Sequence, residues 1–456
     1  MRVLAKDIPA AAKEGQGEIE ASGWVHRIRE LGGVVFVILR DRSGMIQLVL
    51  EERGGLTLES VITVTGVPAL NEKAPGGAEL RVKEVRVLSR AAPDLPYQVN
   101  ADTARIGLDV ILDNRVLSLR NPKIRSIFKV QAVIVEAFAE YLRRADFTEI
   151  KTSKLTAGST EGGTNLFEVE YFDRKLYLAQ SPQLYKEAMV ASGFERVFEI
   201  APVYRAEKHD TPRHLNEYVS LDVEMGFIES EKDLIELEKG LLAYIFEEVA
   251  RKNGPDLAAW DASVPAAENV AASPTVSYAE ALVIANDEAA KSRGNGKAAG
   301  RANDTAAGRD AGRIFDINPE AERLLSEWSL REYGVELLFV NAFPRRYRPF
   351  YTYPLETGDD GGKPVTLTMS FDAIFRGLEI TSGSRRQHDY GAFAEALPKF
   401  GLKAENMAGY AAVLEYGCPP HGGFAIGLER LTQKILGLGS VKEASLFPRD
   451  RKRVEP

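Results

Sequence analysis

The 456-residue chain has a single cysteine, Cys418. One thiol excludes an internal disulfide framework and any multi-cysteine zinc or iron–sulfur site, and it fits a reducing compartment. Cys418 itself reads as a small buried hydrophobe. No apolar run approaches the roughly 18–20 residues that cross a bilayer. The opening stretch, MRVLAKDIPAAAKEGQG, lacks a long apolar core followed by a small-residue cleavage site, so no secretory signal is expected. The expectation is a cytoplasmic protein with no membrane partner. Positive charge is also short: 58 Lys and Arg stand against 66 Asp and Glu, a net charge of −8. That argues against a protein that coats nucleic acid through bulk charge, and leaves a local basic groove open. There is no Walker A loop and no strand-linked G-x-G-x-x-G, so any nucleotide is bound by another route.

What is present suffices for two or three domains with their own cores. Residues 17–90 contain five β-branched, aromatic-rich runs separated by the turn signals LGG, RSG, RGG and APGG. An OB-fold barrel is the natural candidate, with any other small barrel or sandwich as the alternative. The expected organisation is a barrel over residues 1–100, a Pro-broken linker over 101–125, and a second domain over 126–456. IFKVQAVIVEAFAEYLRRADF has helical spacing and a basic last turn, TEIKTSKLT looks like a strand, and LIELEKGLLAYIFEEVARKNG is a helix ended by Gly254. Residues 286–313 have almost no large apolar side chain and are expected to be a mobile insertion. The GNGK within them lacks the rest of a phosphate-loop pattern and is assigned no chemistry.

The densest polar stretch is FEIAPVYRAEKHDTPRHLNEYVSLDVEMGF, residues 198–227. Two strand-like runs flank a charged loop. A hairpin would place Arg205 and Asp222 on facing strands and aim several charges into one cleft. Arginine there offers a rigid fork for carboxylate or phosphate. As a bare charge cluster, a solvated, salt-bridged hairpin is the favoured explanation. Near the end, PPHGGFAIGLERLTQKILG sets a glycine-rich strand before an amphipathic helix, with Arg430 in its first turn.

Together these segments resemble motifs 2 and 3 of class II aminoacyl-tRNA synthetases. STEGGTNLF, QSPQLYK, YRAEKHDTPRHLNEYVSLDVEM, RGLEITSGSRRQHD, PPHGGFAIGLER and LFPRDRKR, in that order, closely resemble aspartyl-tRNA synthetases of the archaeal type. The barrel segment GWVHRIRELGGVVFVILRDRSGMIQLV resembles that family's anticodon-binding domain. The resemblance covers the chain apart from 286–313. It implies an α+β fold: an OB-fold β-barrel, then a class II catalytic domain with an antiparallel sheet flanked by helices, working as a homodimer.

The resemblance also implies roles. Arg205 would bridge the aspartate carboxylate and the ATP α-phosphate, and Arg430 would hold the γ-phosphate near the base. Glu207 would accept from the adenine amino group, and Tyr218 would lie against the ring. Arg213 and His214 would contact the outer phosphates. Leu215, Gly427, Leu428 and Glu429 complete the ATP-binding set. Glu379 and Ser382 match a Mg²⁺-binding position, chemically adequate because magnesium takes few protein oxygens plus water and phosphate. Lys186 and Arg386 would select the aspartate side chain, Asp222 the α-ammonium, and Gln183 and Ser382 would orient the substrate. Glu161 would sit in a loop that closes over aspartate, and the adjacent glycines suit such a motion.

In the barrel, Phe36 and Gln47 match anticodon readers, by stacking and by base-edge contact. The run VVFVILR does not decide which face Phe36 occupies. His26 and Pro75 match forms with relaxed reading of the third anticodon base. That implies charging of tRNA(Asn) as well as tRNA(Asp), with an amidotransferase converting Asp-tRNA(Asn). Thr152–Ser153 stands where the family has a proline in motif 1, at the dimer interface. The rivals are an asparagine-activating synthetase, a tRNA-independent asparagine-forming paralogue, and an RNA-binding protein that has lost catalysis. Lys186 argues against the first two, and Arg205, Glu379 and Arg430 together argue against the third.

Overall fold

A computed structural model of the protein describes residues 2–158, 166–207, 211–295, 314–359, 364–402 and 407–455. The chain divides into two compact units, Met1–Asn121 and Pro122–Pro456. No helix among the described residues is long and apolar enough to cross a membrane.

The first unit opens with α1 (Ile8–Lys13), followed by β1 (Ile19–Leu31), β2 (Val34–Arg40), β3 (Met45–Leu50), β4 (Val61–Leu70) and β5 (Ala78–Ser89). The strands close into a barrel in the order β1-β2-β3-β5-β4. Closure follows from the period-2 pattern. Val35, Val37 and Leu39 of β2 and Ile46, Leu48 and Leu50 of β3 are buried together, while their neighbours in sequence face outward. Gly32 and Gly33 join β1 to β2 at φ +60° and +84°, the left-handed pair a tight hairpin requires. The stretch expected to be a linker carries α2 (Leu108–Asp113) and α3 (Arg115–Ser118). Arg115 and Ser118 are buried, and Asn121 Nδ2 donates to Val99 O at 2.8 Å, so these residues pack within the first unit.

The second unit begins with α4 (Pro122–Arg144), whose helical start lies four residues before the expected boundary because Pro122 occupies the first turn, where its missing N–H costs nothing. Next come β6 (Thr148–Glu149), β7 (Leu155–Thr156), β8 (Glu168–Tyr171), β9 (Arg174–Leu178), α5 (Gln183–Met189), β10 (Arg196–Tyr204) and β11 (Glu217–Gly226). The single strand expected over TEIKTSKLT is thus two short strands in different sheets. Then follow α6 (Glu231–Lys252), α7 (Gly254–Ala258), α8 (Ala267–Ala271), β12 (Thr275–Ser277), α9 (Tyr278–Asn295), α10 (Pro319–Tyr333), β13 (Leu337–Asn341), β14 (Pro354–Asp359), β15 (Pro364–Thr368), β16 (Ser370–Phe375) and β17 (Leu378–Arg385). The chain ends with α11 (Tyr390–Ala396), α12 (Ala408–Glu415), β18 (His421–Gly427) and α13 (Leu428–Leu436). Gly254 opens α7; α6 ends at Lys252 and is capped by Asn253, whose N–H bonds back to Val249 O.

Eight strands form one sheet in the order β12-β13-β16-β17-β18-β11-β10-β6. It is antiparallel from β13 to β10, with a parallel strand at each edge. One face packs on α4, α6 and α13: Ile127, Ile134 and Phe138 meet Phe198, Leu221, Val223, Phe375 and Phe424 in the main core. The other face carries the polar residues.

The expectation for 286–313 needs correction at its start. Residues 286–295 continue α9. Ala285 and Ala289 are buried against α10, Asn286 bonds to Leu282 O and Ile314 O, and Glu288 pairs with Arg331 at 2.8 Å. Small residues supply the buried face here, and a count of large apolar side chains overlooks them. The remainder, 296–313, lies outside the described residues.

Candidate active site

The polar face of the large sheet is hollowed into a cavity of about 360 Å³. Strand register builds it. β10 and β11 pair antiparallel with Glu199 opposite Asp222 and Tyr204 opposite Glu217, so the expected hairpin forms but Glu199, not Arg205, stands opposite Asp222. Along β11, Tyr218, Ser220 and Asp222 line the cavity, while Val219 and Leu221 between them face the core. Arg205, just beyond β10, places its guanidinium carbon 5.5 Å from the Tyr218 ring centroid. On β17 a bulge at Ile380 shifts the register, pairing Ile374 with Glu379 but Ala373 with Thr381. The extra residue lets both Glu379 and Ser382 face the cavity although they are three apart.

At the cavity floor Lys186, Asp222, Glu224 and Arg386 are buried together. Lys186 Nζ donates to Asp222 Oδ1 at 2.9 Å and lies 3.4 Å from Glu224 Oε2. Arg386 meets Glu224 at two points, Nε to Oε1 at 2.9 Å and Nη2 to Oε2 at 3.1 Å, and Nη1 donates to Ser384 Oγ at 2.6 Å. Burial alone would lower the Arg386 pKa, and the Glu224 carboxylate more than restores it. Two cations and two carboxylates are thus paired where burial limits screening by water. Gly423 makes this possible, because a Cβ there would overlap the Glu224 carboxylate.

Behind them, Gln183 Nε2 donates to Glu187 Oε1 at 2.6 Å. Glu187 also meets His421 Nε2 at 3.1 Å and the Tyr410 hydroxyl. His421 Nδ1 lies 2.9 Å from Pro419 O, so both ring nitrogens face acceptors, an arrangement that favours the protonated ring. Burial would discharge it; the Cys418 contact and the Glu187 carboxylate hold its pKa above the ordinary range.

Nearer the mouth, Arg430 Nη1 donates to Glu379 O at 2.9 Å and lies 3.5 Å from Glu379 Oε1. Arg213 pairs with Glu322 of α10. Arg205, Glu207, Arg213, His214, Leu215, Tyr218, Gln183, Lys186, Asp222, Glu379, Ser382, Arg386, Gly427, Glu429 and Arg430 all line this one cavity. Two residues of the expected ATP set behave differently. Leu428 packs into the core, and the Glu429 carboxylate accepts from the Val219 backbone N–H at 3.1–3.2 Å. Burial pushes the Glu429 pKa up to about 8. Glu161 lies outside the described residues. The sequence reading missed Glu224 as a partner and Arg348 altogether. Glu224 alternates in phase with Asp222, a signal that was available.

In the barrel, Phe36 is on the outer face. It stands opposite Arg29 on one side and Val49 on the other. Gln47 shares that face, and its Nε2 donates to Glu79 at 3.1 Å. Pro75 is exposed in the turn before β5. His26 is mostly covered: Arg40 Nη1 lies 2.7 Å from its Nδ1, and Arg40 grips Glu59 at 2.9 and 2.7 Å. It also borders a cavity of about 200 Å³ with Tyr97 and Asn100.

A five-stranded barrel, an antiparallel catalytic sheet, and arginines set around an acidic and a cationic wall define a class II synthetase. Residues 107–451 match the family described as class II tRNA synthetases (D, K and N), and residues 19–88 match the OB-fold nucleic acid binding domain. This chain belongs to that class II family. It is 46% identical to the aspartate–tRNA(Asp/Asn) ligase of Thermus thermophilus, over 100% of both chains. It is 44% identical to the protein of the same name from Deinococcus radiodurans, over 100% of this chain and 99% of that one. Among solved structures it resembles asparaginyl-tRNA synthetase from Pyrococcus horikoshii complexed with asparaginyl-adenylate, with a TM-score of 0.84, 28% identity and 100% coverage of both chains.

Proposed function

We propose that this chain is an aspartate–tRNA ligase that charges both tRNA(Asp) and tRNA(Asn). The aspartate α-carboxylate attacks the α-phosphorus of ATP, forming aspartyl-adenylate and releasing pyrophosphate. The 3′-terminal ribose hydroxyl then attacks the adenylate carbonyl, forming the ester and releasing AMP. The observation that carries the reading is the buried pair Lys186 and Arg386, two cations at the floor of a cavity whose mouth is lined by Arg205, Arg213 and Arg430. Both still line the cavity beside their protein partners, and a substrate side-chain carboxylate gains from two cations where the neutral amide of asparagine does not.

In this reading Arg205 draws the α-carboxylate and α-phosphate together, with Tyr218 under the adenine and Glu207 at its amino group. Arg213, His214 and Arg430 hold the outer phosphates. Asp222 receives the α-ammonium, and Gln183 positions the substrate. Fixed cations offset the charge that concentrates in both transition states. The oxygen donors Glu379 and Ser382 fit magnesium: Glu379 faces the cavity with its side chain 39% exposed, and the carboxylate of neighbouring Asp372 has one oxygen without a hydrogen-bond partner among the described residues. Bound there, the ion would neutralise phosphate charge. In the barrel Phe36 would stack an anticodon base and Gln47 would read a base edge. His26 and Pro75 fit relaxed reading of the third anticodon base. A cytoplasmic homodimer that hands Asp-tRNA(Asn) to an amidotransferase completes the proposal.

The resemblance to asparaginyl-tRNA synthetase structures makes asparagine activation the second reading. The test offers aspartate and asparagine separately with separate tRNA(Asp) and tRNA(Asn) transcripts. Aspartate on both tRNAs is expected. Asparagine charging would overturn the amino-acid assignment, and aspartate on tRNA(Asp) alone would overturn the dual tRNA use.

A further inference from the structure

A second cavity of about 220 Å³ adjoins the first, and Arg348 and Glu379 line both. It is acidic, with Asp316, Glu322, Asp372 and Glu379 in its wall. Arg348 lies among these carboxylates with its side chain 9% exposed. Its Nη2 is 2.8 Å from Asp372 Oδ2, and its Nη1 donates to Ser382 Oγ at 3.0 Å. The guanidinium carbon stacks 3.7 Å from the Phe343 ring centroid. The ion pair is poorly satisfied: among the described residues Arg348 Nε and Nη2 have no acceptor in hydrogen-bond geometry, and Asp372 Oδ1 has no donor.

The loop that carries Arg348 is held independently. Arg345 donates to three main-chain carbonyls of the same loop, those of Pro349, Phe350 and Thr352, and lies 4.8 Å from the Phe400 ring centroid. The backbone is therefore fixed, while the Arg348 guanidinium keeps two nitrogens without acceptors in hydrogen-bond geometry among the described residues.

We propose that Arg348 is a resident cation that occupies the divalent-metal position of the nucleotide-free enzyme and leaves it when ATP binds. The inference rests on the metal reading of Glu379 and Ser382 given above. Arg348 takes the Ser382 oxygen and neutralises Asp372 beside Glu379, so a divalent ion and the guanidinium cannot both use this wall. Like charges a few ångströms apart repel strongly in a partly dry site. The fork needs new acceptors once displaced, and polyphosphate oxygens at the cavity mouth supply them in a geometry suited to arginine. Metal and nucleotide then bind as a coupled pair, and the free enzyme does not load metal alone. Coupling of this kind is a free energy shared between two ligands.

The test is Mn²⁺ binding read by electron paramagnetic resonance, with and without an ATP analogue whose α,β-bridge is carbon. In the unmodified enzyme, Mn²⁺ is expected to bind weakly alone and much more tightly with the analogue. Arg348→Gln should bind Mn²⁺ about tenfold more tightly without nucleotide, and its gain on adding the analogue should shrink by a similar factor. Arg348→Lys keeps the charge but not the fork, and a smaller gain in the same direction is expected. This variant decides the matter should the glutamine form not fold. Unchanged or weaker nucleotide-free binding in a folded variant overturns the proposal. Glu379→Gln separates the two readings. It should abolish Mn²⁺ binding, and tight binding by that variant would overturn the metal reading and this inference with it. Loss of metal in Glu379→Gln without any gain in the Arg348 variants overturns this inference alone.

Discussion

Arg386 and Glu224 meet at two points in the buried floor of the cavity, with Nε–Oε1 and Nη2–Oε2 separations of 2.9 and 3.1 Å. Glu224 also lies 3.4 Å from Lys186 Nζ, so one carboxylate serves both cations that are assigned to the substrate side chain. Removing it leaves two buried positive charges with Asp222 as the remaining partner. Breaking such a pair costs about 3–5 kcal/mol. Glu224→Ala is therefore expected to lower stability by about that amount in urea unfolding, and Glu224→Gln, which keeps shape and loses charge, by less. Equal stability of all three proteins would show that the pair is not formed.

Lys186→Ala addresses amino-acid choice. Its ammonium is buried and held by Asp222, so truncation removes the proposed substrate contact and strands a carboxylate. Losses of about 2–5 kcal/mol follow from truncating one partner of a buried charge pair. Aspartate-dependent pyrophosphate exchange should fall by more than about thirtyfold in kcat/KM, while ATP binding changes little. Unchanged exchange would remove Lys186 from the aspartate pocket.

Much of this site was legible because its chemistry sits in short strings. Tyr218, Ser220, Asp222 and Glu224 alternate with Val219, Leu221 and Val223, so the facing of β11 could be read directly. Gln183 and Arg386 are 203 residues apart yet lie 3.4 Å from each other, and resemblance, not periodicity, brought them together. Arg348 was illegible for a physical reason: it lies on a loop with no repeat, ordered by bonds from Arg345 to main-chain oxygens that any sequence would supply. The bulge at Ile380 leaves no compositional trace either. Phe36 sits in a run apolar at both parities, so only the closed barrel decides its face.

Glu59 sets an acid limb for the barrel. Burial would raise its pKa, but the hydrogen bonds from Arg40 and the nearby charges of Arg40 and Arg120 outweigh that and lower it to about 2 from 4.5. A carboxylate with a lowered folded pKa stabilises above its unfolded pKa. That stability is lost as pH falls through the folded one. The window is therefore from about 4.5 down to about 2. Glu59→Gln should cost roughly 2–3 kcal/mol at pH 7. In urea titrations the gap between variant and parent should narrow steadily below about pH 4.5. A gap independent of pH would show that the ion pair with Arg40 contributes through shape alone.

Phe36→Ala separates anticodon binding from adenylate chemistry. The ring stands on the outer barrel face opposite Arg29, in a row that continues through Val49 to Arg81. Stacking one base on an aromatic ring contributes about 1–3 kcal/mol. The KM for tRNA should therefore rise by roughly tenfold to a hundredfold, for tRNA(Asp) and tRNA(Asn) alike. Pyrophosphate exchange without tRNA should be unaffected, because the cavity proposed for it is formed wholly within Pro122–Pro456. The barrel segment 1–105 carries 14 Lys and Arg against 14 Asp and Glu, so bulk charge adds little to its binding. The salt dependence of tRNA binding should then be nearly the same before and after the substitution, since the lost contact is to a base and not to a phosphate. A variant that loses salt dependence along with affinity would place Phe36 next to the backbone and away from the base.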